Sequence, residues 1–230
     1  MTNKPKTIKN LSKFEDWTSI DIIKKLGVQK LKEPSPILEK LLNLSGEISP
    51  IWSAPIEIQR LSIADNYSFW NETELMNKFI SLVMLSISFD HLYYRLYHER
   101  WLEAKVKEYL VHGFTDGMLA AGGENPEQPY FFFHEYKKIK GTNADPEGQV
   151  LISMIAASEL NVKKMPIYGC YVIGKYWCFL VYHENSYSVS TGFDCSNKEE
   201  LTQIWLILDH INKIVAQKVS EEYNIPIDKL

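Results

Sequence analysis

The chain is short of several things. Cysteine is one: Cys170, Cys178 and Cys195 are the only three in 230 residues, an odd number with no CxxC pair. Such usage excludes a disulfide frame and a cysteine-rich zinc site, and it reads as the reduced thiols of a cytoplasmic protein. A positive balance is also lacking, with 25 Lys and Arg against 29 Asp and Glu and a formal net charge of −4. Bulk charge therefore cannot hold this protein on nucleic acid, although a local basic channel stays open. No apolar run is long enough to span a bilayer. The longest, over residues 79–89, is broken by Ser81, Ser86 and Ser88. The Lys-rich residues 1–10 have no apolar stretch behind them and do not read as a secretory signal. There is no internal repeat, no P-loop, no dinucleotide fingerprint and no Ser-His-Asp pattern.

What is present is a globular balance, 45% hydrophobic and 23% charged, over a length that buries a sizeable core without staples. Two regions differ. In residues 1–65 lysines crowd the start and prolines recur at Pro34, Pro36, Pro50 and Pro55. Each proline turns the residue before it away from helix, which predicts an N-terminal extension of short helices and turns, with amphipathic pieces over 11–26 and 37–44. Residues 66–230 read as the main α/β domain.

That domain opens with a helix. Leu75, Met76, Phe79, Leu82, Val83 and Ile87 recur at helical spacing, and Asn71 with Glu74 fits a capping box. The tyrosines and arginines of residues 89–107 either end that helix or begin a second one. The period then shortens. Residues 109–111 and 114–121 read as strand, closed by Gly122-Gly123. After a loop over 124–129, four aromatics (Tyr130 to Phe133) form a second strand, bulky on both faces and so covered on both sides. Asp145 and Pro146 start a helix to Leu160 with one buried stripe. Strands follow over 166–173 and 176–182 around a Gly174-Lys175 turn, a shorter one over 187–191, and a closing helix over 198–219. The pattern predicts a mixed central β-sheet flanked by helices.

Chemistry concentrates after the aromatic strand, in His134-Glu135-Tyr136-Lys137. Alternation along a strand puts Glu135 and Lys137 on one face. The preceding strand carries Phe114-Thr115-Asp116-Gly117, and a pairing of the two strands brings Asp116 beside Glu135. Two carboxylates in one pocket call for a cation, and magnesium accepts carboxylates, a backbone carbonyl and waters. Such a site suits metal-assisted phosphodiester hydrolysis.

Asp116 followed by Glu135-Tyr136-Lys137 on the next strand, then a helix and further strands, resembles the PD-(D/E)XK nuclease superfamily over residues 72–182. The resemblance implies a restriction endonuclease-like core ordered helix, three strands, helix, strand. It implies Mg2+, with Mn2+ as a substitute, held by Asp116, Glu135 and the carbonyl of Tyr136. Lys137 would then position the nucleophile. It also implies an acidic metal ligand on the first core helix, here Glu74, and a polar residue on the helix after the lysine strand, here Gln149. Thr115 stands where the motif's name has proline.

The plainer readings stay beside these. Glu135 and Lys137 also fit a surface ion pair, Glu74 a helix cap, and Gln149 a solvated first turn. Lys137, Lys138, Lys140, Lys163 and Lys164 line either a phosphate path or a solvated face. The six histidines read as structural or exposed. The expected function is a Mg-dependent nuclease acting on DNA, with no membrane partner and with a homodimer or partner subunit open. The alternative is a nuclease-like scaffold that binds protein or nucleic acid without turnover.

Overall fold

The computed structural model describes residues 10–136 and 145–229 of the chain, and the side chains of Glu72, residues 133–136 and Asp228 lie outside the description. In chain order the elements are β1 (Asn10–Lys13), a 3-10 turn (Phe14–Asp16), α1 (Ser19–Asp21), a π-helical turn (Ile22–Leu26), β2 (Gln29–Lys30), α2 (Pro36–Leu42) and α3 (Pro50–Asn66). A helical segment follows, made of α4 (Glu72–Leu75), a π-helical turn (Met76–Ile80) and α5 (Ser81–Leu85). Then come β3 (Tyr94–Val106), β4 (Tyr109–Gly122), β5 (Pro126–Tyr136), α6 (Pro146–Leu160), β6 (Ile167–Ile173), β7 (Tyr176–His183), β8 (Ser186–Val189), β9 (Phe193–Asp194) and α7 (Lys198–Tyr223).

The strands form one mixed sheet. β3, β4 and β5 are antiparallel in turn, β5 and β6 are parallel across α6, and β7 and β8 continue antiparallel. The N-terminal region joins this sheet twice: β1 lies parallel to β4, and β2 parallel to β8. Helices cover both faces. One core holds α2, α3, the helical segment 72–85 and α7 against residues such as Phe131, Cys170 and Trp177. The other holds α6 and the N-terminal turns against Phe132, Met118 and Leu180. Phe131 and Phe132 point to opposite cores, which is why β5 is apolar on both sides; each buried ring is worth roughly 1.5–3 kcal/mol. No helix among the described residues is long and apolar enough to cross a membrane.

Several sequence expectations are corrected. Residues 1–65 are not all short helices and turns: α3 runs 17 residues, with Pro50 in its first turn and Pro55 inside it. A proline ring needs no N–H only within the first turn, so Pro55 costs α3 one backbone bond. The segment 89–107 is neither a helix end nor a second helix, because Tyr94 to Val106 is the strand β3. The loop expected over 124–129 is shorter, since β5 begins at Pro126 and pairs with β4 at Gly122. The single stripe expected on α6 is also too narrow. Every residue from Val150 to Ala157 is buried, because the N-terminal turns close over the side turned from the sheet. The amphipathic piece expected over 11–26 begins as the strand β1 and continues as a 3-10 turn, α1 and a π-helical turn.

Candidate functional site

β3 borders β4 over its whole length, from Tyr94↔Ala121 to Val106↔Tyr109, with one interruption where Glu99 faces Asp116. Glu99 sits at φ 48, in the left-handed region that side-chain-bearing residues enter rarely. The interruption reverses which side of the strand is buried. Tyr97 and Leu102 both point into the second core although five residues separate them, and so do Val111 and Met118, seven apart. Unbroken alternation would send each pair to opposite faces. The shift turns Asp116 toward the helical segment 72–85.

The other edge of β4 makes a fork. Pairing with β5 runs from Gly122↔Pro126 to Gly117↔Phe133 and stops. β5 continues beside β6 alone, through Glu135↔Val172 and Tyr136↔Ile173. β4 continues beside β3, and β1 takes the far part of its free edge from Tyr109 to His112. Asp116 is the first residue of β4 past the branch point, and Glu135 lies on the other prong.

Beside Asp116 opens a cleft of about 580 Å³, lined by Thr73, Asn77 and Ser81 of the helical segment and by His98, Glu99 and Arg100 of β3. Asp116 is half-buried there, over fully buried Thr115. The His98 Nδ1 lies 3.1 Å from the Asp116 carbonyl oxygen. A carbonyl only accepts, so Nδ1 is the donor in this contact. The Arg100 guanidinium donates to the His98 carbonyl at 3.1 Å and lies 5.8 Å from the centre of the Tyr97 ring. A second hollow of about 390 Å³, sharing Met76, Ser81 and His98, continues the groove toward Phe89 and Asp90.

The sequence-predicted residues are distributed as follows. Asp116 lines the cleft, and the backbone of Glu135 and Tyr136 lies on the neighbouring prong of the fork. Lys137, with Lys138 and Lys140, lies outside the described residues, as do the side chains of Glu135 and Tyr136. Glu74 makes the expected capping box: its backbone N–H donates to Asn71 Oδ1 at 2.9 Å, and its Oε2 accepts from the Asn71 N–H at 3.0 Å. The Lys78 ammonium donates to its other oxygen at 2.9 Å, and the two bonds together hold its carboxyl below the usual range. Thr73 and Asn77 of the same segment line the cleft in its place. Gln149 is half-buried in the first turn of α6, on the other side of the sheet from the cleft. Lys163 and Lys164 are exposed after α6, and Lys164 pairs with Glu159 at 3.8 Å.

Sequence reasoning missed Arg100, His98 and Asn77. The first two sit in the stretch read as helical, and the signal that could have found them is the doubled apolar step at Leu96-Tyr97 and Trp101-Leu102, a strand changing face. The arrangement offers hard oxygen donors (two carboxylates, an amide and two hydroxyls) in an open cleft that Arg100 also borders. Among the described residues no three His, Cys, Asp or Glu side chains cluster as a metal site. Comparison of the chain with family models and with curated proteins finds no match.

Proposed function

We propose that the protein is a divalent-metal-dependent nuclease that hydrolyses phosphodiester bonds in DNA, with Asp116, Glu135 and Lys137 as its reacting set. The observation that carries this reading is the fork. Two strands that pair, with two register shifts, as far as Gly117↔Phe133 part at the point where each carries its acidic residue, and a cleft opens beside one of them. Strand backbones that separate must satisfy their N–H and C=O groups elsewhere, so such a parting costs free energy unless the gap is used. The order of elements adds support. A helical segment, β3, β4, β5, α6 and β6 follow one another as a restriction endonuclease-like core requires.

The donors present suit a small hard cation better than a soft one. Asp116, Glu135 and the Tyr136 carbonyl would hold Mg2+, or Mn2+ in its place, and Glu74 would have to leave its cap to join them. When bound, the ion lowers the pKa of a coordinated water and neutralises phosphate charge. Lys137 orients the attacking water.

The test is cleavage of plasmid and single-stranded DNA with Mg2+ or Mn2+. Asp116→Ala and Lys137→Ala are each expected to lower the rate by about 100-fold or more while circular dichroism and melting stay unchanged. Cleavage by either variant at the wild-type rate refutes the assignment. The second reading, a nuclease-like scaffold that binds without turnover, draws on one observation: the Glu74 carboxylate is already committed to Asn71 and Lys78. Wild-type protein that binds DNA but cleaves nothing with either ion would decide for it.

A further inference from the structure

The β3–β4 hairpin carries an aromatic pair that neither core uses. Trp101 and Phe114 stand directly opposite each other across the two strands, and their rings meet edge to face with centroids 5.2 Å apart. They are 49% and 64% exposed. His112, two residues along β4 from Phe114, lies under the Trp101 ring at 4.9 Å. The other side of the same stretch is buried through Leu102, Ala104, Val106 and Val111, so the hairpin is well anchored and its outer face is rigid. An exposed pair of large rings on a rigid face marks a surface that a partner covers.

The neighbours say which partner. Phe114 precedes Asp116 by two residues on β4, and both lie on the side of the strand away from buried Thr115. Trp101 follows Arg100, which lines the cleft with Asp116. Arg100 itself pairs with Thr115 and its guanidinium faces the Tyr97 ring, so its side chain starts from the opposite side of the hairpin. A carboxylate cleft, where the proposed metal would meet phosphate, and two flat rings thus adjoin on one face of β4. That succession matches a polymer alternating phosphates with flat bases. Paired bases are stacked on one another and cannot reach such rings, whereas unpaired bases can. Farther along the same face Glu103 and Lys105 oppose each other in sign, so stacking rather than net charge dominates.

We infer that Trp101 and Phe114 form a stacking platform for unpaired nucleobases leading into the cleft, and that the substrate is single-stranded nucleic acid. This rests on the nuclease reading of the adjoining cleft.

The experiment measures binding of a fluorescent oligothymidylate, and of a duplex of the same length, to the full chain in EDTA, where no turnover occurs. The single strand is expected to bind at least 10-fold more tightly than the duplex. Trp101→Ala and Phe114→Ala are each expected to weaken single-strand binding by about 5- to 100-fold, with Trp101→Phe recovering most of it. Both rings are exposed, so melting temperatures report whether folding is intact. Unchanged single-strand affinity in both alanine variants overturns the platform, as does tighter binding of the duplex. It is overturned also if these variants abolish self-association, measured by sedimentation, and leave oligonucleotide affinity unchanged, because the face is then a protein interface. The two readings separate through Asp116→Asn: if this variant cleaves normally while the platform variants lose binding, the catalytic assignment fails alone. If it loses cleavage while they bind normally, the platform fails alone.

Discussion

At the scale of single residues, Asp145 and Gly148 decide how the N-terminal turns meet the domain. Asp145 caps α6 by accepting from the Gly148 N–H at 3.0 Å, and its other oxygen accepts from both the backbone N–H and the hydroxyl of Ser19, at 2.7 and 2.8 Å. One carboxylate thus holds the starts of two helices. Gly148 permits the approach. A Cβ there would lie 2.5 Å from the Trp17 carbonyl oxygen and 2.6 Å from the Ser19 nitrogen, both backbone atoms that no side-chain rotation can move. Gly148→Ala is therefore expected to destabilise the protein by about 1–3 kcal/mol despite the better helix propensity of alanine. Urea denaturation of the two proteins checks this, and an unchanged midpoint would mean that the N-terminal turns shift at no cost. The cap at Asp145 and the box of Asn71 with Glu74 were readable beforehand because each spans only three residues. The second role of Asp145 was not, since Ser19 is 126 residues away in the chain.

At the scale of elements, β3 shows why a strand escaped a periodicity reading. Its apolar residues do alternate, but the phase changes at Glu99, so no window across that point has a clean period of two. The same residue aims Asp116 into the cleft, which makes the irregularity part of the site. Glu99→Val is expected to lower stability by about 1 kcal/mol or more, because a β-branched residue tolerates the left-handed region poorly. Glu99→Gly is expected to be tolerated. Equal melting temperatures for the two variants would show that the strand relaxes to a regular register. By contrast β4, α6 and α7 were legible nearly to their ends. Each has its own punctuation: Gly122-Gly123 at the end of β4, Asp145-Pro146 at the start of α6, and a single apolar stripe along α7.

At the scale of the whole molecule, a polar junction ties the turn between β6 and β7 to β9, α3 and α7. The Lys175 ammonium meets Asp194 at 2.6 Å, Asp194 accepts from the Ser196 N–H at 2.9 Å, and Arg60 of α3 donates to the Ser196 carbonyl at 2.6 Å. Burial pushes the Asp194 carboxyl up, but the bonds from Lys175 and Ser196 outweigh it and leave the carboxyl below its usual range. The bond to Asp194 raises Lys175. A lowered carboxyl stabilises the fold above its unfolded value and loses that contribution as pH falls through the folded one. A raised ammonium stabilises below its unfolded value and loses that contribution as pH rises past the folded one. The junction therefore works between the two limits. The melting-temperature gap between wild type and Asp194→Asn is expected to be widest from about pH 5 to 9 and to close below about pH 3. A gap that stays constant down to about pH 2.5 would show that the ionised pair contributes nothing.

By itself the sequence determined the local decisions: where helices start, which runs are apolar on both sides, and that Asp116 and Glu135 sit on consecutive strands. These depend on neighbours within a few residues, where spacing and capping chemistry act directly. Only the tertiary structure decided that two pieces of the N-terminal region enter the sheet, that β4 and β5 part at Gly117, and that Arg100 and Asn77 share the cleft with Asp116. Those outcomes belong to contacts between distant segments. There, filling a core and pairing every buried backbone group override local preference.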